Sequence, residues 1–515
     1  MAIGRAGSVT TLLAAMACTL LVGCSDDEEA PDGDAESEVI PENVPVPAAD
    51  APKLFVTRHR TPVRARPEAE ADVLGELALG GRVPRSPEPV TRRGCPDGWY
   101  AVRPAGFVCA GADATVDDGH PAAMLLAEGP HTNQPMPYRY GRVSRGAGVS
   151  YGSAPSPEQQ AEAEPKLGKL EADVDGHLGL AANDVPLGDD HMPSGVGVLT
   201  PDGDGVGADG FRTLDSWWSL GDDAMNAGTS LLAPGAAGQT RVLKRRSGVA
   251  VTRTFMVGDR RFGLMPNGRL FPIDRLVPAM GSTWHGADVS EIGLPVGFAL
   301  RSAVPAYHLE KGKAERLDED YEQREVISLT GKFRTVNGIR YYYTRQDHWV
   351  RHKDMILVFD RSKFPDWASE TQRWLDVSLA NQYAIVWEGK KPLYATLVSS
   401  GADRLGDPKT DPATAQGVFK ILSKHVSRDV DDREVGQAYS VDEAPWVMEF
   451  AEGFSITGCY WHERFGEARS FHDIAVSPLD AHWLFHYLGP DVPEGWHSVR
   501  VADDAADNAI IYVHK

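Results

Sequence analysis

The chain has 515 residues, a length that suggests roughly two to four domains rather than one core. Its 42% hydrophobic and 24% charged content is ordinary for a globular protein. Against 52 Lys and Arg stand 73 Asp and Glu, a formal net charge of -21, which argues against nucleic acid as a partner because phosphate binding needs a basic face.

The first residues read as an export signal. Arg5 precedes an apolar run from Val9 to Val22, too short for a spanning helix of about 20 residues. The run ends Leu21-Val22-Gly23-Cys24, and small residues before a cysteine at that place resemble a bacterial lipobox. The resemblance implies that residues 1–24 are a signal segment and that Cys24 is acylated. The lipid then anchors the chain without spanning the membrane, in the cell envelope and facing the periplasm. An ordinary signal peptide with an incidental cysteine is the plainer alternative.

Residues 25–52 follow as a tether. Positions 26–50 hold ten acidic residues, no basic one and no aromatic, so the stretch has too little apolar surface to fold alone. Of the five cysteines, Cys18 leaves with the signal and Cys24 takes the lipid. Cys95 and Cys109 lie close together beside predicted strands in an oxidising compartment, so a disulfide is expected between them. Cys459 is the one thiol that remains.

From 53 to 115 short alternating strands are separated by turn residues: Leu54-Phe55-Val56, Val73 to Leu77, Trp99 to Val102 and Gly106 to Cys109. Their order resembles the small β-barrels of the bacterial Src-homology-3 type, which implies either a wall-binding module or a spacer. Residues 116–370 form a β-rich middle region. Pro155 to Ala172 has helix-forming composition. The loop Asp202 to Gly210 lacks the ligand spacing and closing glutamate of a calcium hand and reads as a surface loop. A second barrel-like module is expected near 326–360, where Asn337-Gly338 marks a hairpin. Histidines such as His131 and His191 are scattered without metal-ligand spacing, so no metal and no cofactor is assigned.

The region 371–502 is the most informative. Strands are expected at Trp374 to Leu379 and Tyr383 to Trp387, followed by Val398-Ser399-Ser400-Gly401 and Thr414 to Ile421. Farther on stand Pro445 to Phe450, Tyr460 to Gly466, and a helix starting at Ser477-Pro478-Leu479-Asp480. In order and spacing these pieces resemble the L,D-transpeptidase catalytic domain of the YkuD type. The resemblance implies a mainly β, multidomain protein with a C-terminal L,D-transpeptidase-like domain. It also implies acyl transfer or hydrolysis on peptidoglycan stem peptides through a cysteine thiolate, a histidine base and oxyanion donors.

The catalytic motif departs from that family. On the strand, Thr457 stands where the family has a histidine. On the loop, Phe471, His472 and Asp473 take the places of histidine, glycine and the nucleophilic cysteine, and Ala475 replaces the usual asparagine. Cys459, two residues beyond Thr457, is expected on the same strand face, which suggests a relocated site with Cys459 as nucleophile and His472 as base, Asp473 beside it. His462 is the weaker base candidate. Tyr460, Trp461, Arg464 and Arg469 are candidate substrate contacts, the arginines through bidentate carboxylate pairing. Trp446 reads as packing. The competing expectation is a catalytically inactive homologue that binds peptidoglycan, with Cys459 serving as a small core hydrophobe.

Overall fold

A computed structural model describes residues 43–515 except 121–128, 145, 166–176, 179–180, 194–211, 214–224, 227, 231–237, 404, 435–436 and 506. The lipobox with Cys24, most of the acidic tether and the Asp202 to Gly210 loop lie outside the described residues. The protein is mainly β, as the sequence suggests. Its strands form several sheets, and the longest described helix is Pro478–Tyr487. No helix among the described residues is long and apolar enough to cross a membrane.

The largest sheet draws on both ends of the chain. Its centre is a long hairpin, Ser423–Glu434 against Gln437–Ala451. On one side Ser423–Glu434 pairs with Ser498–Arg500, and that strand pairs in turn with Val73–Leu77 (Gly75 opposite Val499). Thr61–Arg64 and the remaining strands of the 53–115 region continue the ladder from there. On the other side Gln437–Ala451 meets Gly248–Val251 and then Arg139–Val143. The limits expected at 115 and 370 therefore cross a continuous hydrogen-bonded ladder. Gly75 permits the junction, since a side chain there would strike the Ser498 carbonyl and the Trp496 ring.

The expected local features follow their chemistry. Cys95 and Cys109 form a disulfide with Cα atoms 5.7 Å apart, within the normal range for such a bond. Asn337 and Gly338 both adopt positive φ, the turn geometry that joins Val326–Val336 to Ile339–Thr344. These strands belong to a seven-stranded sheet spanning 296–358. Within Pro155 to Ala172 the described helix is Pro157–Ala163, begun by a capping box of Ser156 and Gln159. A six-stranded sheet sets Arg373–Ser378 parallel to Ile510–His514, so this sheet includes a strand beyond residue 502.

The helix Pro478–Tyr487 is buried along most of its length. Ser477 caps its first turn by accepting from the Asp480 backbone N–H. Asp480 accepts hydrogen bonds from Gly286 N, Tyr394 Oη and Thr396 Oγ1. At the other end Lys424 donates its ammonium to the carbonyls of Phe485, Leu488 and Pro490. Burial pushes this ammonium down to about 8, so the charged donor still predominates at neutral pH.

Glu443 sits inside the long hairpin with its carboxylate buried. Ser427 Oγ donates to it at 2.5 Å; His59 Nε2, Arg60 and His497 Nε2 approach at 3.2, 3.4 and 3.6 Å. Burial alone would raise its pKa, but the hydrogen bonds and charges of these partners hold it well below the usual range. A carboxylate whose folded pKa is depressed stabilises the fold above its unfolded value of about 4.3, and that stability is lost as pH falls through the folded value. Glu443→Gln should therefore lower stability at pH 7 by roughly 3 kcal/mol, read from urea midpoints. The gap to the parent should narrow as the pH is taken below that unfolded value. Equal midpoints at pH 7 would show that the charge contributes nothing.

Candidate functional site: the 459–473 segment and its arginine cavity

The strand Phe454–Gly458 pairs antiparallel with Gln437–Ala451 and parallel with Ile474–Val476. The segment 459–473 links these two parallel neighbours, so its ends are pinned at opposite ends of one strand. At one end the Cys459 N–H donates to the Val476 carbonyl at 2.8 Å. At the other, Asp473 Oδ1 accepts from the Ser455 N–H at 3.0 Å and from Ser455 Oγ at 2.9 Å. Ser455 Oγ also lies 2.9 Å from Thr457 Oγ1.

Those pairings separate the two residues of the expected dyad. His472 lies level with Phe454, their ring centroids 5.4 Å apart. Cys459 is five residues along an extended chain from Phe454, on the order of 16 Å at 3.3 Å per residue. The His472 Nδ1 faces the Ala413 carbonyl at 3.1 Å, and a carbonyl can only accept, so the proton is on Nδ1. Cys459 is 0% exposed and belongs to an apolar cluster with Trp284, Tyr460, Trp461 and Phe465. Its Sγ contacts the His462 carbonyl at 3.7 Å. The structure does not bring Cys459 and His472 together. The strand ends at Gly458, so the alternation of faces that linked Cys459 to Thr457 stops one residue short of it. Thr457 is itself buried.

His472 and Asp473 instead line a small cavity of about 210 Å³ with Arg428, Asp429, Glu449, Phe454 and Ser455. Cys459 is absent from its wall. The Asp473 carboxylate fastens the loop to the strand through Ser455.

The outer part of the segment forms a larger cavity of about 600 Å³. Six arginines line it: Arg142, Arg245, Arg246, Arg324, Arg464 and Arg469, together with Trp461, Tyr439 and the carboxylates Glu463 and Glu467. Arg324 pairs with Glu463 at 3.0 Å and lies over the rings of Trp284 and Phe465. Arg142 donates to the Trp461 carbonyl at 3.1 Å. Arg464 and Arg469 share Glu467, at 3.4 and 3.3 Å. Guanidinium groups thus outnumber carboxylates on this wall although the chain as a whole is acidic. Such a concave excess of forked donors suits an anionic ligand, carboxylates above all.

Trp461, Arg464 and Arg469, named from the sequence, line this wall. Tyr460 does not: it is buried behind the wall, with its hydroxyl donating to the Asp442 carbonyl at 3.2 Å and its ring 4.2 Å from that of Tyr140. Trp446 is fully buried and donates to the Pro135 carbonyl. The sequence reading missed Arg142, Arg245, Arg246 and Arg324, which come from strands and turns remote in the chain. The Lys244-Arg245-Arg246 run was the one local signal.

No family model matches the sequence, and no curated protein matches it. Among solved structures, a cysteine-to-serine mutant of Enterococcus faecium L,D-transpeptidase is 21% identical over 28% of this chain and 50% of that one, with a TM-score of 0.20. The matched part thus spans half of that protein. Xylanimonas cellulosilytica L,D-transpeptidase is 14% identical over 30% of this chain and 65% of that one, at a TM-score of 0.20. Mycobacterium tuberculosis L,D-transpeptidase 3 is 16% identical over 36% and 79%, at 0.21. Overlaps this limited, at such identity, carry no argument about function.

Proposed function

We propose that the protein is an envelope lipoprotein that holds peptidoglycan stem peptides in the arginine cavity, through an L,D-transpeptidase-like domain that uses no thiol nucleophile. In this reading Cys24 carries the lipid, the acidic segment is the tether, and residues 53–115 are a Src-homology-3-type module beside the binding domain. The observation that carries it is the separation of Cys459 from His472 by the length of a strand, together with the Asp473 carboxylate tied to Ser455. A nucleophile and its base must lie within hydrogen-bond reach, directly or through one water. The motif order along 371–502 supports the wall as the setting. The cavity's excess of guanidinium groups supports a carboxylate-bearing ligand, and stem peptides carry such carboxylates.

Two measurements test this reading. In a soluble form lacking the first 24 residues, Cys459 is the one thiol outside the disulfide. It should label with iodoacetamide at least roughly 100-fold more slowly in the folded than in the denatured protein, with the rate unchanged by His472→Ala. Rapid labelling that slows in His472→Ala would instead favour thiol-dependent acyl transfer. In sedimentation with purified sacculi, the wild type should pellet in a salt-sensitive manner. Arg464→Ala with Arg469→Ala should weaken binding about tenfold or more, since each charged hydrogen bond is worth about 1.5–3 kcal/mol. Cys459→Ala should bind as the wild type does. Failure of the wild type to pellet would remove the binding reading.

A further inference from the structure

On the far side of the long hairpin, three histidines converge. His482 and His486 are four residues apart on the helix Pro478–Tyr487 and so share one face. His191 comes from a tight turn in which its own N–H donates to the Gly188 carbonyl at 3.0 Å and Met192 N donates to Asp190 Oδ1 at 3.1 Å. The His191 backbone has φ 62, a left-handed conformation uncommon for a side chain of this size. The ring centroids lie 4.0 Å apart for His191 and His486, 4.8 Å for His482 and His486, and 4.9 Å for His191 and His482. One ring nitrogen from each residue lies within 4.8 Å of the other two.

Two further observations point to a ligand. His482 is fully buried, and its Nε2 is held by the Thr132 carbonyl at 3.2 Å, so Nε2 carries the proton. That leaves the buried Nδ1 as a lone pair with no hydrogen-bond partner. In His486 the Nδ1 faces Asp491 Oδ1 at 3.5 Å, and the buried Nε2 is the nitrogen with no hydrogen-bond partner. Each helical histidine is thus gripped at one nitrogen by an oxygen and left unsatisfied at the other. Leaving a buried polar atom without a partner is unfavourable. A carbonyl behind one imidazole and a carboxylate behind another is the arrangement that orients metal-binding histidines.

We propose that His191, His482 and His486 form a binding site for a zinc ion, with Asp491 and the Thr132 carbonyl as its outer supports. Zinc–nitrogen bonds of about 2.0–2.1 Å in a tetrahedron place ligand nitrogens about 3.3 Å apart. The widest present separation is 4.8 Å, so small side-chain rotations complete the site. Three imidazoles with no thiolate suit zinc and neighbouring late transition metals rather than calcium or magnesium. The fourth position falls to water or an anionic ligand. The ion would clamp the 188–192 turn to the helix, over the Trp446 ring that packs against both helical histidines.

The test uses the untagged chain, stripped with a chelator and titrated with zinc chloride, with bound metal counted by mass spectrometry. Roughly one zinc per chain should bind and raise the melting temperature. His191→Ala and His486→Ala, each folded by circular dichroism, should lose about 100-fold or more in affinity. Asp491→Asn should lose about 10–100-fold. Cobalt loading should give visible bands of a tetrahedral nitrogen site without a thiolate charge-transfer band, which excludes Cys459 as a ligand. Far less than one equivalent bound, or affinity unchanged in both His191→Ala and His486→Ala, overturns the proposal. Sacculus binding is read separately, so failure of either reading leaves the other intact.

Discussion

The carboxylate of Glu443 is buried at the point where three distant parts of the chain meet, and the remainder of the structure is arranged to keep it charged there. His59 and Arg60 reach it from the turn between Lys53–Val56 and Thr61–Arg64, Ser427 from the facing arm of the hairpin, and His497 from the C-terminal segment. Tyr140 of the middle region donates to its backbone carbonyl. Removing a carboxylate from water costs several kcal/mol unless paired charges and hydrogen bonds replace the hydration. No one segment supplies them. Its neighbour Asp442 makes the contrast: equally buried, with neither carboxylate oxygen hydrogen-bonded, it is pushed up to about 7 by burial and by the nearby Asp429. Consecutive acids in one strand thus shift in opposite directions, because only the Glu443 carboxylate is hydrogen-bonded.

This anchoring fixes the hairpin, and the hairpin fixes the candidate site. Gln437–Ala451 sets the register of Phe454–Gly458, which in turn sets that of Ile474–Val476. The two parallel neighbours have their N-termini at the same end, so the connecting segment must travel the full length of a strand to return. That geometry keeps Cys459 and His472 apart. A connection closing a thiol–imidazole pair would need both residues at the same end of the strand.

Much of the local structure was legible because it rests on short-range chemistry. Asn337-Gly338 supplies the positive φ of a tight hairpin, Ser477-Pro478 starts a helix, and the disulfide joins residues fourteen apart. What the sequence hid was non-local. Nothing in Ser498 to Arg500 announces that it bridges Val73–Leu77 to the hairpin, and Ile510–His514 lies beyond the limit expected at 502. The cavity was half visible: Arg464 and Arg469 stand in one segment, whereas Arg142, Arg245 and Arg324 reach it only through folding. The histidine pair at a spacing of four was a readable helical signal, but His191 was not, because its approach depends on the placement of a turn. The face assigned to Cys459 failed for a local reason, since strand alternation holds only while the strand lasts.

The carboxylate of Asp473 ties these threads together. A nucleophile on that loop has to keep its reactive atom unsatisfied and facing a cleft, which leaves the loop held by few bonds. Asp473 does the opposite: its carboxylate accepts both the backbone and the side-chain hydrogen of Ser455, and Ser455 in turn meets Thr457. With Cys459 fastened to Val476 at the other end, the segment is fixed at both termini, and the Arg324–Glu463 pair secures its middle. A segment held at three points has little freedom to move. It makes a good wall, because guanidinium groups aimed from a rigid surface lose less freedom when they capture a carboxylate. The Asp473–Ser455 bonds thus steady the segment that carries Arg464 and Arg469 into the arginine-lined face.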